Sequence, residues 1–262
     1  TGGMVPLAVS SPGLPEFRSA LANPVPEFAW HLTLETMVDA LLDTLLPPRC
    51  LTCGSSGRAV KGVCALCAAR LKRIEGPLCD ICGAELGTPG TCLACLSNRP
   101  PYDVLRGVFR FEGLLVDMVH AFKYGRVTTL KHFLGSALAG AVEQWGIHAD
   151  IITFVPMHWT KVVDRGYNQS ALLAKEVCAH RGVRLADDVL RKTRRTAAQA
   201  GLARGGRRKN VAGVFEATGM RDKSVMVVDD VITTASTAYE VARACKEAGA
   251  SAVAFVGLGR VL

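Results

Sequence analysis

Cysteine spacing constrains this chain more than any other feature. Eight of its ten cysteines fall into four Cys-x-x-Cys pairs, Cys50/Cys53, Cys64/Cys67, Cys79/Cys82 and Cys92/Cys95, separated by 10, 11 and 9 residues. Residues 49–98 carry few large apolar side chains, so this stretch needs cross-links to hold a shape. Four pairs supply eight thiolates, enough for two tetrahedral zinc sites of four sulfurs each, and a CxxC turn lets two thiolates reach one ion. Gly54 and Gly83 follow the second cysteine of the first and third pairs, where a knuckle turn wants glycine's conformational freedom. The second and fourth pairs lack that glycine. The asymmetry favours Cys50, Cys53, Cys64 and Cys67 on one ion and Cys79, Cys82, Cys92 and Cys95 on the other, with interleaved pairing the alternative. Disulfides would require an oxidising compartment, for which no targeting signal speaks. A thioredoxin-like redox site needs one CxxC on a βαβ frame rather than four in succession. The expected zinc is structural, supplying folding energy. Each filled site carries about −2 charge, which does not favour nucleic-acid binding by the zinc module itself. Cys178 and Cys245 lie on helical apolar stripes and read as core residues.

Around this module the 262-residue chain divides into three parts. Residues 1–32 hold five of the twelve prolines and no helical period, and read as a loose extension. In residues 33–100, Leu34, Met37, Val38, Leu41, Leu42 and Leu45 at helical spacing predict an amphipathic helix stopped by Pro47-Pro48. The cysteine module follows and ends at Pro100-Pro101. From 101 to 262 short apolar strands alternate with helical stretches. VLRGVFRF, DIITFVP, SVMVVDD and SAVAFVGLG read as strands; LVDMVHAFKY, HFLGSALAGAVEQW, GYNQSALLAKEVCAHRG and STAYEVARACKEAG read as helices. That order predicts an α/β fold with a doubly wound, mainly parallel sheet. No apolar run approaches the roughly 18 residues of a membrane span, and no secretory signal is evident, so a cytoplasmic location is expected.

The net charge of +8 is uneven. Residues 1–100 hold eight basic and eight acidic side chains, whereas 191–209 (RKTRRTAAQAGLARGGRRK) holds eight basic residues and no acid. A polyanionic partner is implied, either ligand phosphates or nucleic acid; a solvated charged loop is the bland alternative. The run has no interleaved aromatics, so base stacking is not encoded there. Its glycines suit a lid over a bound anion.

VMVVDDVITTAST, residues 225–237, ends an apolar strand on two adjacent acids. Ligands of open α/β sheets bind at the carboxyl ends of strands. Ser236, or Thr237 with Glu240 as a capping box, would explain some of the hydroxyls. Caps do not explain Asp229 beside Asp230, whose repulsion needs compensation from a sugar diol or Mg²⁺. The helix start beyond would suit a phosphate. Together these features describe a ribose 5-phosphate site. Arg165, Asn168 and Gln169 form a second polar turn before a helix, suited to pyrophosphate, with Asn168 as an ordinary cap the alternative. The strand end Val155–His158 could offer backbone amides to the same group. Lys123, closing a helix, is equally at home balancing its dipole.

VVDDVITTAST resembles the phosphoribosyl-diphosphate (PRPP) motif of type I phosphoribosyltransferases. LLPPRCLTCG, the CxxC pairs, FRFEGLLVDMVHAFKYGR, FVPMHWTKVVDRGYNQSALLA and RTAAQAGLARGGRRKNVAGVF, in this order, are similar to the ComF competence family over about residues 38–260. The resemblance implies a type I phosphoribosyltransferase-like domain after the zinc module. Asp229 and Asp230 would engage the ribose and act as its catalytic acids. Thr233, Thr234, Ala235, Ser236 and Thr237 would cradle the 5-phosphate; Arg165, Asn168 and Gln169 would meet the pyrophosphate, with Mg²⁺ accompanying PRPP. It further implies a PRPP-binding role in DNA uptake and natural transformation, with uptake-machinery proteins as partners and single-stranded DNA meeting 191–209. The alternative is an active phosphoribosyltransferase with an unknown acceptor. Two departures stand out. Ala235 occupies a position where relatives usually have glycine. Thr233 stands where 6-oxopurine salvage enzymes carry an acid, which argues against that chemistry.

Overall fold

The apolar runs that alternate with helical stretches assemble into one parallel sheet in the computed structural model, which describes residues 49–57, 59–193 and 213–262. All of them belong to a unit running from Leu46 to Leu262. The expected extension 1–32 and the amphipathic helix over 34–45 lie outside the described residues. The half of the cysteine module around Cys50–Cys67, its first ribbon, contributes β1 (Ala59–Val60), β2 (Val63–Cys64) and α1 (Ala65–Ala69); the half around Cys79–Cys95, its second ribbon, contributes α2 (Leu93–Ser97). Then come β3 (Val104–Arg110), α3 (Leu114–Lys123), α4 (Leu130–Gln144), β4 (Ile151–Phe154), α5 (Trp159–Arg165) and α6 (Gln169–Arg181). The chain closes with β5 (Leu190–Lys192), β6 (Phe215–Ala217), β7 (Ser224–Ile232), α7 (Ser236–Glu247) and β8 (Ala252–Arg260).

The sheet order is β3-β8-β7-β4 with every pairing parallel, Val225 lying opposite both Ile151 and Val253. Strands covered on both faces need near-continuous apolar sequence, which explains Val225–Val228, all at most 1% exposed. On one face α3, α4 and α6 bring Met118, Leu134, Leu138 and Leu173 against Met226, Val228, Val256 and Leu258. On the other, α7 brings Ala238, Val241 and Cys245 against Val225, Val227, Val253 and Phe255. Helices on both faces agree with the doubly wound expectation. Cys178 and Cys245 are buried in helices, as their stripes predict, and burial alone pushes the Cys178 thiol up to about 11.

The cysteine module closes the sheet's β3 edge. Ile74 N–H donates to Val108 at 3.0 Å, Arg110 N–H to Lys72 at 2.8 Å and Leu105 N–H to Ile81 at 2.7 Å. An edge strand's unpaired backbone groups would otherwise template association, and the module satisfies two amides and one carbonyl of β3. Its halves join different cores: Cys50, Val63 and Cys67 pack with the α3/α4/α6 face, Cys79, Ile81 and Cys95 with the α7 face.

From Val104 on, three elements escaped the sequence pattern. Helix α5 precedes α6 and has no fully buried residue, so no apolar stripe marks it. Strands β5 and β6 form an antiparallel pair of three residues on each side, too short for a periodicity to register. Arg191 and Lys192, at the start of the basic run, are therefore ordered in a strand, while 194–209 lies outside the described residues. Among the described residues no helix is long and apolar enough to cross a membrane.

Candidate functional site

Each ribbon is built from one knuckle and one helix start. Gly54 N–H donates to Cys50 at 2.8 Å and Gly83 N–H to Cys79 at 2.9 Å, with positive φ of 72° and 62°. Cys64 and Cys92 are the N-cap residues of α1 and α2, so Cys67 and Cys95 project from first helical turns. The quartets are Cys50, Cys53, Cys64, Cys67 and Cys79, Cys82, Cys92, Cys95, with the four sulfurs of each within 4.8 Å of one another. The sequential pairing is thus the one realised. Sulfurs about 2.3 Å from a zinc ion form a tetrahedron with edges of about 3.8 Å. Cys53 and Cys64 Sγ atoms stand 3.8 Å apart, Cys82 and Cys92 3.7 Å. Both quartets fit structural zinc. Backbone N–H groups of Cys64 and Cys92 address Cys50 and Cys79 sulfurs at 3.4 and 3.3 Å, orienting ligands identically in the two ribbons. Arg106 adds bonds to the Cys79 and Asp80 carbonyls at 3.1 and 2.9 Å, and Arg260 donates to the Cys82 carbonyl. These cations from β3 and β8 tie the second ribbon to the sheet.

At the carboxyl ends of β4 and β7 lies a cavity of about 390 Å³. Asp229 and Asp230 line it, and every other lysine, arginine or acid in its lining is a cation: Lys123, Lys161, Arg165 and Lys192. Lys123 Nζ lies 2.8 Å from Asp230 Oδ2. Asp230 Oδ1 accepts from Val231 N–H at 2.6 Å, so this nearly buried carboxylate is well supported. Asp229 Oδ1 accepts from Ser170 Oγ and from Asp230 N–H, both at 2.9 Å. Burial, then the neighbouring Asp230 charge, drives Asp229 upward to about 7 against the pull of Lys123. Lys192 titrates below its usual range, first because it is buried and then because Lys161 is near, while Asp229 opposes the shift.

The other expected residues separate into two groups. Thr233, Ala235 and Thr237 line the cavity with Arg165 and Gln169. Thr234 and Ser236 instead border a different, open pocket with Cys82, Cys95, Tyr102 and Tyr239, and their hydroxyls bond to each other at 3.1 Å. The loop is therefore a wall shared by the cavity and the second ribbon. Asn168 is the N-cap of α6, accepting from Ser170 and Ala171 N–H at 2.9 and 3.3 Å, and its Nδ2 donates to the Val155 carbonyl at 3.0 Å. It anchors the turn to the end of β4 rather than lining the cavity. Gln169 is 1% exposed; its Oε1 accepts from Arg165 at 3.0 Å while its Nε2 has no partner among the described residues.

One expectation is corrected. Neither Ser236 nor Thr237 caps α7, and no Thr237–Glu240 box forms. The N-cap is Ala235, left-handed at φ 55° and ψ 3°, with no side-chain cap bond. Glu240 points elsewhere, accepting from Gly213 N–H at 3.0 Å and pairing with Arg243 at 3.0 Å.

With this geometry in view, residues 41–96 match the double zinc ribbon domain family. The chain is 28% identical over 224 residues to "Competence protein F" of Haemophilus influenzae, covering 81% of this chain and 96% of that protein. It is 30% identical over 216 residues to "DNA utilization protein YhgH" of Escherichia coli K12, covering 77% of this chain and 91% of that one. The chain belongs to the ComF family. "Competence protein ComFC" of Bacillus subtilis is a more distant member at 24% identity over 200 residues, 72% of this chain and 80% of that protein. Among solved structures, the glutamine PRPP amidotransferase of B. subtilis complexed with ADP and GMP covers 48% of this chain at TM-score 0.34 and 23% identity. This chain spans about a quarter of that protein's length, 25%. The protein TT1426 from Thermus thermophilus aligns with 50% of this chain and 83% of its own at TM-score 0.32 and 15% identity.

In this ComF-family chain the sequence reading missed Ser170, Lys161, His120, Phe215 and the place of Lys192. Ser170 carries no signal of its own, because its bond to Asp229 crosses from α6 to β7. Lys192 was legible only as one charge in a run, and its position over the Phe215 ring, 5.5 Å from the centroid, depends on the pairing of β5 with β6.

Proposed function

We propose that this ComF-family chain binds PRPP in the cavity at the ends of β4 and β7 and serves DNA uptake, with an α/β body over 101–262 and a helix-plus-zinc module over 33–100. The observation that carries the reading is the acid pair Asp229–Asp230 at the end of a central strand, in a cavity lined also by Lys123, Lys161, Arg165 and Lys192. A ribose offers vicinal hydroxyls that donate to carboxylates, and its phosphates require the cations. A volume of about 390 Å³ lies within the roughly 300–1,000 Å³ of small-ligand sites.

In this reading Asp229 and Asp230 take the ribose diol. The 5-phosphate lies against the start of α7, where the N-cap contributes no side-chain bond to the first amides. Thr233 and Thr237 add hydroxyls from the cavity side. Arg165 and Gln169 meet the pyrophosphate. Mg²⁺, where it accompanies PRPP, would neutralise pyrophosphate charge, with the acid pair as its nearest carboxylates. Lys123 would exchange Asp230 for a phosphate oxygen. The relatives' names, competence and DNA utilization, support the assignment to DNA uptake, and the eight basic residues of 191–209 suit a polyanion.

The test is calorimetric titration of PRPP with Mg²⁺ into zinc-loaded protein, beside an Asp229→Asn/Asp230→Asn variant. Binding by the wild type that the variant loses is expected. Equal binding by both, or by neither, would overturn the proposal.

The apolar part of the lining, including Phe111, Met157, Phe215 and Phe255, favours a second reading in which the cavity also admits an acceptor. Attack of its nucleophile on the anomeric carbon would expel pyrophosphate, and pyrophosphate release with a supplied acceptor tests it.

A further inference from the structure

The two cysteine quartets share a ligand set but differ in exposure. In the first, Cys53 is exposed and Cys64 half-buried, while Cys50 and Cys67 are each 3% exposed. In the second no cysteine is exposed: Cys79 and Cys95 are buried, and Cys82 and Cys92 are half-buried. Cys178 and Cys245 are buried in helices, so Cys53 is the exposed cysteine of the described residues. Its neighbours are the Cys64 sulfur at 3.8 Å and the hydroxyl of Ser55, itself exposed, at 3.0 Å.

Anchoring differs in the same direction. The Cys79–Gly83 knuckle is gripped by the sheet, through Leu105 N–H to Ile81, Arg106 to the Cys79 and Asp80 carbonyls, and Arg260 to the Cys82 carbonyl. The Cys50–Gly54 knuckle is closed by its own ribbon, with Cys50 N–H donating to Ser55 and Leu51 N–H to Gly62. Among the described residues no backbone hydrogen bond joins residues 50–69 to the sheet; a Lys61–Ser136 side-chain contact links them to α4.

We propose that the first ribbon is a peroxide-sensitive zinc site, while the second is a protected clamp on the sheet. Accessible thiolates are the ones oxidised, and Cys53 has a second thiolate beside it to resolve the product. Cys53 Sγ attacks hydrogen peroxide, forming an S–O bond as the O–O bond breaks and hydroxide leaves. Cys64 Sγ then attacks the sulfenic sulfur, forming the S–S bond and expelling a second hydroxide. Two thiolates lose two electrons in all, and two solvent protons turn the hydroxides into water. Cys50 and Cys67 remain as two sulfurs, too few for a four-thiolate site, and zinc is released. The second ribbon, which borders a pocket with Thr234 and Ser236, stays loaded.

The experiment treats zinc-loaded full-length protein with hydrogen peroxide beside a chromogenic zinc chelator, and maps disulfides by mass spectrometry. One of the two zinc ions is expected to leave at least about tenfold faster than the other, in step with a disulfide containing Cys53. Thiol reductant and fresh zinc should restore it. Cys53→His keeps a ligand but no oxidisable sulfur, and should abolish the fast phase; Cys82→His should leave it in place. Equal rates for both ions, faster loss from the Cys79–Cys95 quartet, or release without oxidation of Cys53 would overturn the proposal. So would equally fast loss to chelator without peroxide. The mapping is made on wild-type protein, so a Cys53→His chain that fails to fold does not remove the decision.

Discussion

Lys123, the last residue of α3, reaches Asp230 on β7 at 2.8 Å, and the adjacent Asp229 is left to Ser170 and a backbone amide. Asp230 is paired with a cation while Asp229 is held by hydrogen bonds, and burial beside the Asp230 charge raises Asp229 to about 7.

An acid whose folded pKa lies above its unfolded value binds its proton more tightly in the native state. Its contribution to stability therefore falls as pH rises from about 4, the unfolded value, and levels off once the folded value is passed. For Asp229 that upper limit is about 7. Asp229→Asn keeps an oxygen for Ser170 and removes the buried charge. The variant should match the wild type near pH 4 and exceed it at pH 8 by on the order of 1–3 kcal/mol. Urea unfolding at the two pH values measures the difference, and an equal gap at both would contradict the assignment.

Ala235 holds φ 55°, a conformation that costs an L-residue roughly 1–2 kcal/mol and glycine almost nothing. Part of the gain is offset by glycine's freedom in the unfolded chain. Ala235→Gly should therefore stabilise the protein by about 0.5–1 kcal/mol. It should also tighten PRPP binding, by easing approach of phosphate to the loop. A shift of the denaturation midpoint to lower urea would count against it.

The two knuckle glycines share a positive φ but not their surroundings. A Cβ on Gly83 would fall 2.5 Å from the Leu105 carbonyl oxygen, whereas one on Gly54 would meet nothing within 4 Å. Gly54→Ala should cost roughly 1–2 kcal/mol from backbone conformation alone. Gly83→Ala should cost more than that and displace the second ribbon from β3. Thermal unfolding of the two variants side by side separates conformation from collision.

Metal analysis should find two zinc ions per chain, and Cys92→Ser should lower the count to one. Cys79 and Cys95 share a core with Val241 and Cys245 of α7, so losing the second zinc should lower the melting temperature of the whole unit. It should also weaken PRPP binding, because Thr234 and Ser236 border the pocket shared with that ribbon. A variant that melts like wild type would argue against this coupling.

Replacing several basic residues within 191–209 with serine should weaken binding to single-stranded DNA uniformly across sequences and reduce the slope of affinity against salt. Filter binding over a range of salt measures both quantities. Unchanged affinity would assign the excess charge to another role.

Much of this was legible because the signals are local. Strand and helix patterns from Val104 to Arg260 lie within single segments, and each of the four strands they predict is found, with only the short β5 and β6 added. The knuckle turns at Gly54 and Gly83 depend on three-residue spacing, which any reader of the chain can measure. The α7 cap was misread for the opposite reason. Thr237 and Glu240 have the spacing of a capping box, but Gly213 and Arg243 claim the Glu240 carboxylate, and the N-cap falls two residues earlier, at Ala235.

The sequence by itself determined the eight metal-ligating thiols, the parallel α/β alternation and the acid pair at a strand end, because each is encoded by residue type and short-range periodicity. Only the tertiary structure decided which charges face one another. Lys123, Asp230, Ser170, Asp229, Arg165 and Lys192 come from five elements that meet where parallel strands end. Their protonation and partners depend on burial and on distances of a few ångströms, which no spacing along the chain specifies.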